Sequence, residues 1–103
     1  MKKRTAKIDH VVVLAKRLVA EGAYVISDHA FERGEERRLS IGDIKNIIVT
    51  GYHEKRKDEY REEFKDWNYS IRGQTLDHES ARVCIAFIKK NHLIVITVIR
   101  LEG

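Results

Sequence analysis

His29 and Arg33 stand four residues apart in a segment of helical character, Ser27 to Arg37, so their side chains leave one face a turn from each other. A histidine moves a proton near neutral pH, an arginine presents a planar fork of donors that fits a phosphate, and a helix N-terminus adds amide donors for an anion. The pair therefore suits work on a phosphodiester. The competing reading is structural: His29 hydrogen-bonds near the helix cap, and Arg33 forms a surface ion pair with Glu36 or Glu32. Further groups fall in strand-like runs. Arg72 alternates with Ser70 and Gln74, and Arg82 with Cys84, so each set shares one sheet face and offers the floor of a site. Thr97 stands alone among Val95, Ile96, Val98 and Ile99, where a buried β-branched residue giving its hydroxyl to a carbonyl is the plain expectation. Cys84 lies in an apolar run and reads as core filler, not as a nucleophile.

The chain carries no phosphate loop, no dinucleotide glycine fingerprint, no paired metal-binding histidines on a helix and no nucleophile elbow. Its single cysteine rules out a disulfide framework and a zinc cluster, so neither metal nor cofactor is expected, and a reducing, cytoplasmic location fits. Net charge is +4, and residues 1–20 account for the whole excess with six Lys or Arg against Asp9 alone. Such a bias favours a polyanion through counterion release, with RNA the expected partner; a solvated basic helix is the alternative. The candidate nucleic-acid contacts are Lys2, Lys3, Arg4, Lys16 and Arg17, together with Lys55, Arg56 and Lys57 of a second basic run. Tyr60, in the charged stretch, is the aromatic most free to stack on a base. His53, His78 and His92 read as surface positions, and Val11 to Leu14 is too soon broken by Lys16 and Arg17 to be a signal peptide or a membrane span.

Positioning these residues takes a set of elements that the hydrophobic periodicity supplies. At 103 residues there is material for one core and one domain. Ile8, Val11, Val12, Ala15, Leu18 and Val19 recur at helical spacing, giving a basic amphipathic helix within residues 1–22. After a short extended piece at Tyr24 to Ile26, Ser27 and Asp28 offer cap oxygens for a second helix, which Gly34 weakens. Ser40 and Asp43 open a third, with Ile41, Ile44, Ile47 and Ile48 on its apolar side. An edge strand over Tyr52 to Lys55 is expected to lead into a mobile charged loop. From Trp67 the period changes to two, and Gly73 marks a bend or bulge. Ala81 to Ile88 and Leu93 to Arg100 read as central strands joined by a hairpin at Lys89 to His92. The expected class is α+β, with N-terminal helices packed on one face of a three- to four-stranded antiparallel sheet.

The run from Ile26 through Asp28, His29, Ala30, Arg33 and Arg37 to Gly51 resembles the opening signature of the bacterial family called domain of unknown function 4258. Its marks are a His-Ala pair, an arginine one turn later and a second short helix ending in glycine. The stretches Tyr69 to Leu76, Arg82 to Ala86 and Ile94 to Ile99 are similar to the rest of that family, so the resemblance covers a core of residues 24–100. The family in turn is similar to the RelE- and MqsR-like ribonuclease toxins of toxin–antitoxin systems. What the resemblance implies is a RelE-like fold and a metal-independent endoribonuclease, a hydrolase in the broad sense. It implies a zinc-finger or helix-turn-helix antitoxin as partner. Carried over by position, His29, Arg33, Arg72, Arg82 and Thr97 match its motifs and are the candidate catalytic set. The sequence departs from the pattern at Asp77 and His78, where a glycine turn is usual, and in its longer charged stretch before Trp67.

Overall fold

A computed structural model of the chain describes residues 4–88 and 91–101. In order they form α1 (Val11–Ala20), β1 (Tyr24–Ile26), α2 (Asp28–Glu36), α3 (Ile41–Thr50), β2 (Tyr52–His53), a 3-10 turn (Lys55–Lys57), β3 (Glu59–Arg61), β4 (Asp66–Gln74), β5 (Ser80–Ile88) and β6 (His92–Arg100). The expected helix caps are present. Ser27 Oγ accepts from the Ala30 amide at 3.0 Å. Ser40 and Asp43 make a reciprocal capping box, so two orphan donors at the start of α3 are satisfied by side chains.

The sheet is larger than the sequence suggests and it is mixed. Its strands run in the order β1-β6-β5-β4-β2, with β3 also paired to β4, and β1 lies parallel to β6. The short piece Tyr24–Ile26 is enough chain to add to β6 opposite Leu93–Val95. Part of the stretch expected as a mobile loop is instead β3, whose Glu59 to Arg61 pair with Asn68 to Asp66. Its charges do not forbid this, because an edge strand can solvate them.

The first helix also begins later than its apolar spacing implies. Residues 4–8 form no helix; they lie along the β3–β4 edge. There the Thr5 hydroxyl donates to the Lys65 carbonyl, the Trp67 indole donates to the Thr5 carbonyl at 2.7 Å, and the Ile8 amide donates to the Tyr69 hydroxyl at 2.9 Å. Those tertiary bonds hold the segment extended against its helical periodicity.

The helices cover one face of the sheet. Val11, Ala15, Leu18, Ile44, Ile47 and Ile48 meet Tyr69, Ile71, Val83, Ile85, Val95 and Val98, all buried. Two glycines set how closely they approach. A Cβ on Gly73 would stand 2.1 Å from the Ile47 carbonyl oxygen, so Gly73 marks the close seating of α3 on β4 and not a bulge. At Gly34 a Cβ would lie 2.9 Å from the Leu39 carbonyl, so this glycine, far from merely weakening α2, lets the chain fold back onto it.

The bulge lies in β6 instead. Cys84 pairs with Thr97 but Ile85 pairs with Val95, leaving Ile96 as an extra residue. Ile96 is not idle: its carbonyl accepts the Ser27 hydroxyl at 3.2 Å, tying the start of α2 to the bulge. Beyond the bulge the side-chain alternation of β6 is reversed.

Candidate functional site

The face of the sheet turned away from the helices gathers the strand residues singled out above. Cross-strand partners point to the same side, and the register sets Arg72 opposite Arg82, Ser70 opposite Cys84 and Thr97 opposite Cys84. Two separate expectations, one for each strand, thus become one surface. The reversed alternation after the bulge is what brings Thr97 to it. Thr97 is therefore half-buried on the open face, not a core residue, and its hydroxyl has no hydrogen bond among the described residues.

The arginines differ in their surroundings. Arg82 Nε donates to Glu54 Oε1 at 2.6 Å, with the two side chains 17% and 7% exposed. Arg82 holds the Glu54 carboxyl below its ordinary value by that hydrogen bond, against the opposing effect of burial, and Arg72 and Lys57 add their positive fields. Arg72 has no ion pair or side-chain hydrogen bond among the described residues. Beside them Ser70 is 1% exposed and its hydroxyl has no partner among the described residues. A buried hydroxyl left unpaired costs about 1–3 kcal/mol. The Cys84 thiol is raised by burial, which suppresses the thiolate and fits the packing role expected of it.

Further along, the same face turns apolar. Ala86, Ile88, Ile94 and Ile96 line a 510 Å³ cavity closed on its sides by Phe64, Trp67 and Arg61. The open face is thus cationic at one end and hydrophobic at the other.

His29 and Arg33 are positioned by α2, which starts beside the bulge that carries Thr97. His29 is exposed and makes no side-chain hydrogen bond among the described residues. Arg33 Nη1 reaches Glu36 Oε2 at 2.8 Å, the surface ion pair that was the structural alternative for it. No ion pair or hydrogen bond among the described residues joins either of them to Arg72, Arg82 or Thr97.

A family model for the domain of unknown function DUF4258 matches residues 26–100, well over half of the sequence. The chain belongs to the DUF4258 family. No curated protein and no solved structure matches it. The matched span holds α2, α3 and β2–β6, so the open face of this DUF4258 chain lies inside the family segment, while α1 and residues 4–10 lie outside it.

The basic residues proposed for nucleic acid divide into two groups, and Lys2 and Lys3 lie outside the described residues. Lys55, Arg56 and Lys57 form the exposed 3-10 turn, and the Lys7 ammonium reaches the Lys55 carbonyl at 3.4 Å, so the N-terminal arm meets that turn. Arg4 stacks over Tyr60 and Trp67, at 5.1 Å and 5.7 Å from their ring centres. Tyr60 is therefore an engaged residue of β3 packed edge-on against Trp67, not a free loop aromatic. Lys16 and Arg17 are exposed on α1, and Arg17 lies 3.9 Å from Glu21.

Two carboxylates went unnoticed in the sequence. Glu54 continues the alternation of β2 on the side of Tyr52, a signal that a two-residue strand is too short to reveal. Asp58 is shut from solvent, where it accepts from the Ser70 amide at 2.9 Å, His53 Nε2 at 2.8 Å and Lys7 at 3.0 Å. It replaces the backbone acceptor that the edge ladder loses at the 3-10 turn. His53 is accordingly not a surface histidine: its side chain is 13% exposed and packs edge-on to Tyr69. No group of three or more His, Cys, Asp or Glu that could hold a metal ion occurs among the described residues, and none of the helices is long and apolar enough to cross a membrane.

Proposed function

We propose that the chain is a metal-independent endoribonuclease, similar in kind and fold to the RelE- and MqsR-like toxins, that receives single-stranded RNA on the open face of its sheet. A bacterial cytoplasm and a zinc-finger or helix-turn-helix antitoxin partner go with that reading. The observation that carries it is the pairing of Arg72 with Arg82 on the face turned away from the helices, with Arg72 free of ion pairs among the described residues. A phosphate over Arg72 supplies the partner that its guanidinium lacks.

In the reaction the RNA 2′-oxygen attacks the adjacent phosphorus, the bond to the 5′-oxygen breaks, and a 2′,3′-cyclic phosphate and a 5′-hydroxyl result. His29 moves the proton, Arg72 and Arg82 stabilise the charge on the phosphorane, and Thr97 and Arg33 position the strand near α2. A positioned acid or base contributes on the order of 10²–10⁴-fold, and an electrostatic donor a comparable factor.

The test is cleavage of a labelled single-stranded RNA by purified protein. His29→Ala is expected to lose about 10²–10⁴-fold in rate, and Arg72→Ala a comparable factor without loss of fold. Undiminished cleavage by His29→Ala removes the histidine from the mechanism; undiminished cleavage by Arg72→Ala removes the sheet face.

A second reading is a binding module without chemistry. It is favoured by the ion pairs Arg33–Glu36 and Arg82–Glu54, which occupy two of the guanidiniums the nuclease needs, and by the lack of any side-chain hydrogen bond orienting His29 among the described residues. RNA that quenches Trp67 fluorescence but emerges uncut supports it.

A further inference from the structure

The 510 Å³ cavity at the far end of the open face has a polar wall beside its aliphatic floor. Asn68 lines it, in step with Ser70 and Arg72 along β4, and its side chain makes no hydrogen bond among the described residues. A half-buried carboxamide thus presents an acceptor and a donor side by side. Asp66 stands in the same wall, where its Oδ1 accepts the Trp67 amide at 2.8 Å and its Oδ2 is left over. Glu59, the partner of Asn68 in the β3–β4 ladder, is exposed on that side as well. The cation among the described lining residues, Arg61, donates through Nε to Glu63 Oε1 at 2.7 Å, so its charge is already matched.

The two ends of the face are therefore of opposite character. Arg72 attracts a phosphate, whereas Asp66 and Glu59 repel one and attract an amino group. A nucleotide laid along the face puts its phosphate at the arginines and turns its base towards the acids. That favours a base with an exocyclic amine and disfavours uracil, whose exocyclic groups are both carbonyls. The volume lies within the roughly 300–1,000 Å³ of small-molecule sites, and a two-ring base covers more of the floor of Ala86, Ile88, Ile94 and Ile96 than a one-ring base does. Phe64, 72% exposed at the side of the cavity, offers a ring on which a base can stack. Between the purines the amide decides. A carboxamide pairs with the N6 amine and N7 of adenine as donor and acceptor together, while guanine shows two acceptors on the same edge. An acid that clamps guanine through its N1 and N2 hydrogens uses both oxygens, and one of those on Asp66 already holds the Trp67 amide.

We propose that this cavity is an adenine-selective base pocket, with Asn68 bonded to N6 and N7 of the base and Phe64 stacked on it. The pocket rests on the reading of the open face as an RNA site, and not on scission. The full chain is titrated with short 2′-O-methyl oligonucleotides UUXUU, where X is A, G, C or U and the blocked 2′-oxygen prevents cleavage. Binding is followed by anisotropy of an end-labelled strand. The A strand is expected to bind about tenfold more tightly than the U strand, the worth of one bidentate pair. Asn68→Ala, and Asn68→Leu at nearly the same volume, are each expected to bring that ratio to about one. Their thermal melts should match the wild type, because the carboxamide makes no bond among the described residues. Phe64→Ala is expected to weaken the A strand about tenfold through lost stacking. Arg72→Ala is expected to weaken all four strands alike and to lower the salt slope by about 0.7, with the A preference intact. Equal affinity for the four strands, a preference for G, C or U, or an A preference that survives both Asn68 variants each overturns the proposal. Cleavage of unmodified RNA by a chain without base preference removes the pocket and leaves the nuclease, and an A preference without scission does the reverse. Failure of all four strands to bind overturns the pocket together with the RNA face.

Discussion

Removing the Glu54 carboxylate tests whether the open face is held together by charge. Glu54 and Arg82 meet at 2.6 Å with little solvent at either side chain, and no second acid is bonded to Arg82 among the described residues. A charge-assisted hydrogen bond contributes about 1.5–3 kcal/mol, and stripping one member from a buried pair costs about 3–5 kcal/mol. Arg82 keeps a little access to water, so Glu54→Ala is expected near the lower end, about 3 kcal/mol. In a domain of this size each kcal/mol moves Tm by about 4–5 °C, giving a fall of about 12–15 °C. Glu54→Gln retains an acceptor and should lose about half the bond, about 1–1.5 kcal/mol. The sign of the pH dependence follows from the cause. Arg82 lowers the Glu54 carboxyl in the folded chain below its ordinary 4.5, so the stabilisation is complete above that pH and disappears as pH falls through the folded value. Wild type and Glu54→Gln should differ at pH 7 and converge on acidification. If the open face is the proposed RNA site, the same change adds a free cation to it, so RNA should bind more tightly and its salt dependence steepen by about 0.7 in logarithmic slope. Circular dichroism melts of Glu54→Ala, Arg82→Ala and the double variant give the coupling directly. A coupling below about 0.5 kcal/mol, typical of an exposed pair, refutes the reasoning.

Gly73→Ala places a Cβ 2.1 Å from the Ile47 carbonyl, so a loss of about 3 kcal/mol or more is expected in urea denaturation. Asp43→Ala removes acceptors for the Ser40 and Leu76 amides, both at 2.9 Å, and should cost about 1–2 kcal/mol at neutral pH. Those hydrogen bonds, first the one from Ser40, lower the Asp43 carboxyl below its ordinary 3.8, so this part of the stability fades as pH falls beneath that value, and thermal melts of the variant should be flatter there. Because burial raises the Cys84 thiol, aromatic disulfide reagents should modify it far more slowly than a free thiol at pH 7, and at the free-thiol rate only in denaturant. Trp67→Phe deletes the indole donor to Thr5, and limited proteolysis should then cut within residues 4–10 where the wild type resists.

What the sequence conveyed well was whatever short-range chemistry decides. The Ser27 cap and the Ser40–Asp43 box depend on residues three apart and appear as expected. The alternation of β4 and β5 needs only a period of two, and it placed Arg72 and Arg82 on their faces correctly. Thr97 was misjudged because a single extra residue, Ile96, reverses the alternation, and nothing local distinguishes Ile96 from Ile94 or Val95. The helical spacing of Ile8 with Val11 and Val12 is real, but hydrogen bonds from residues about sixty positions away keep Ile8 out of α1. Tyr24 to Ile26 reads as no more than a short extended piece because three residues carry no periodicity; only the partner strand at Leu93–Val95 makes them part of the sheet. Glu54 and Asp58 were hidden in a run of mixed charge, where composition cannot tell a solvated acid from one that closes an edge ladder.

The disposition of the sheet bears on the proposed ligand of its open face. On one side the sheet ends in β1, three residues long, with α2 bonded to β6 beyond it; on the other it ends in the broken edge of β2, the basic 3-10 turn and β3. Short, interrupted and charged edges resist strand addition, so a partner has the face and not the edges to use. That face is not uniform. Arg72 and Arg82 are separated from Ala86 and the 510 Å³ apolar cavity by about 13 Å of strand, four residues at about 3.3 Å each. A free phosphate satisfies the first end only, and an apolar segment the second only. In the proposed reading, exposed side chains as large as Phe64 and Ile88 and the more distant cationic pair are spanned by a ligand with a charged backbone and flat, stackable groups at intervals along it. A single-stranded RNA with its phosphates near the arginines and a base in the cavity has that form, and an acidic peptide reaching only the arginines does not.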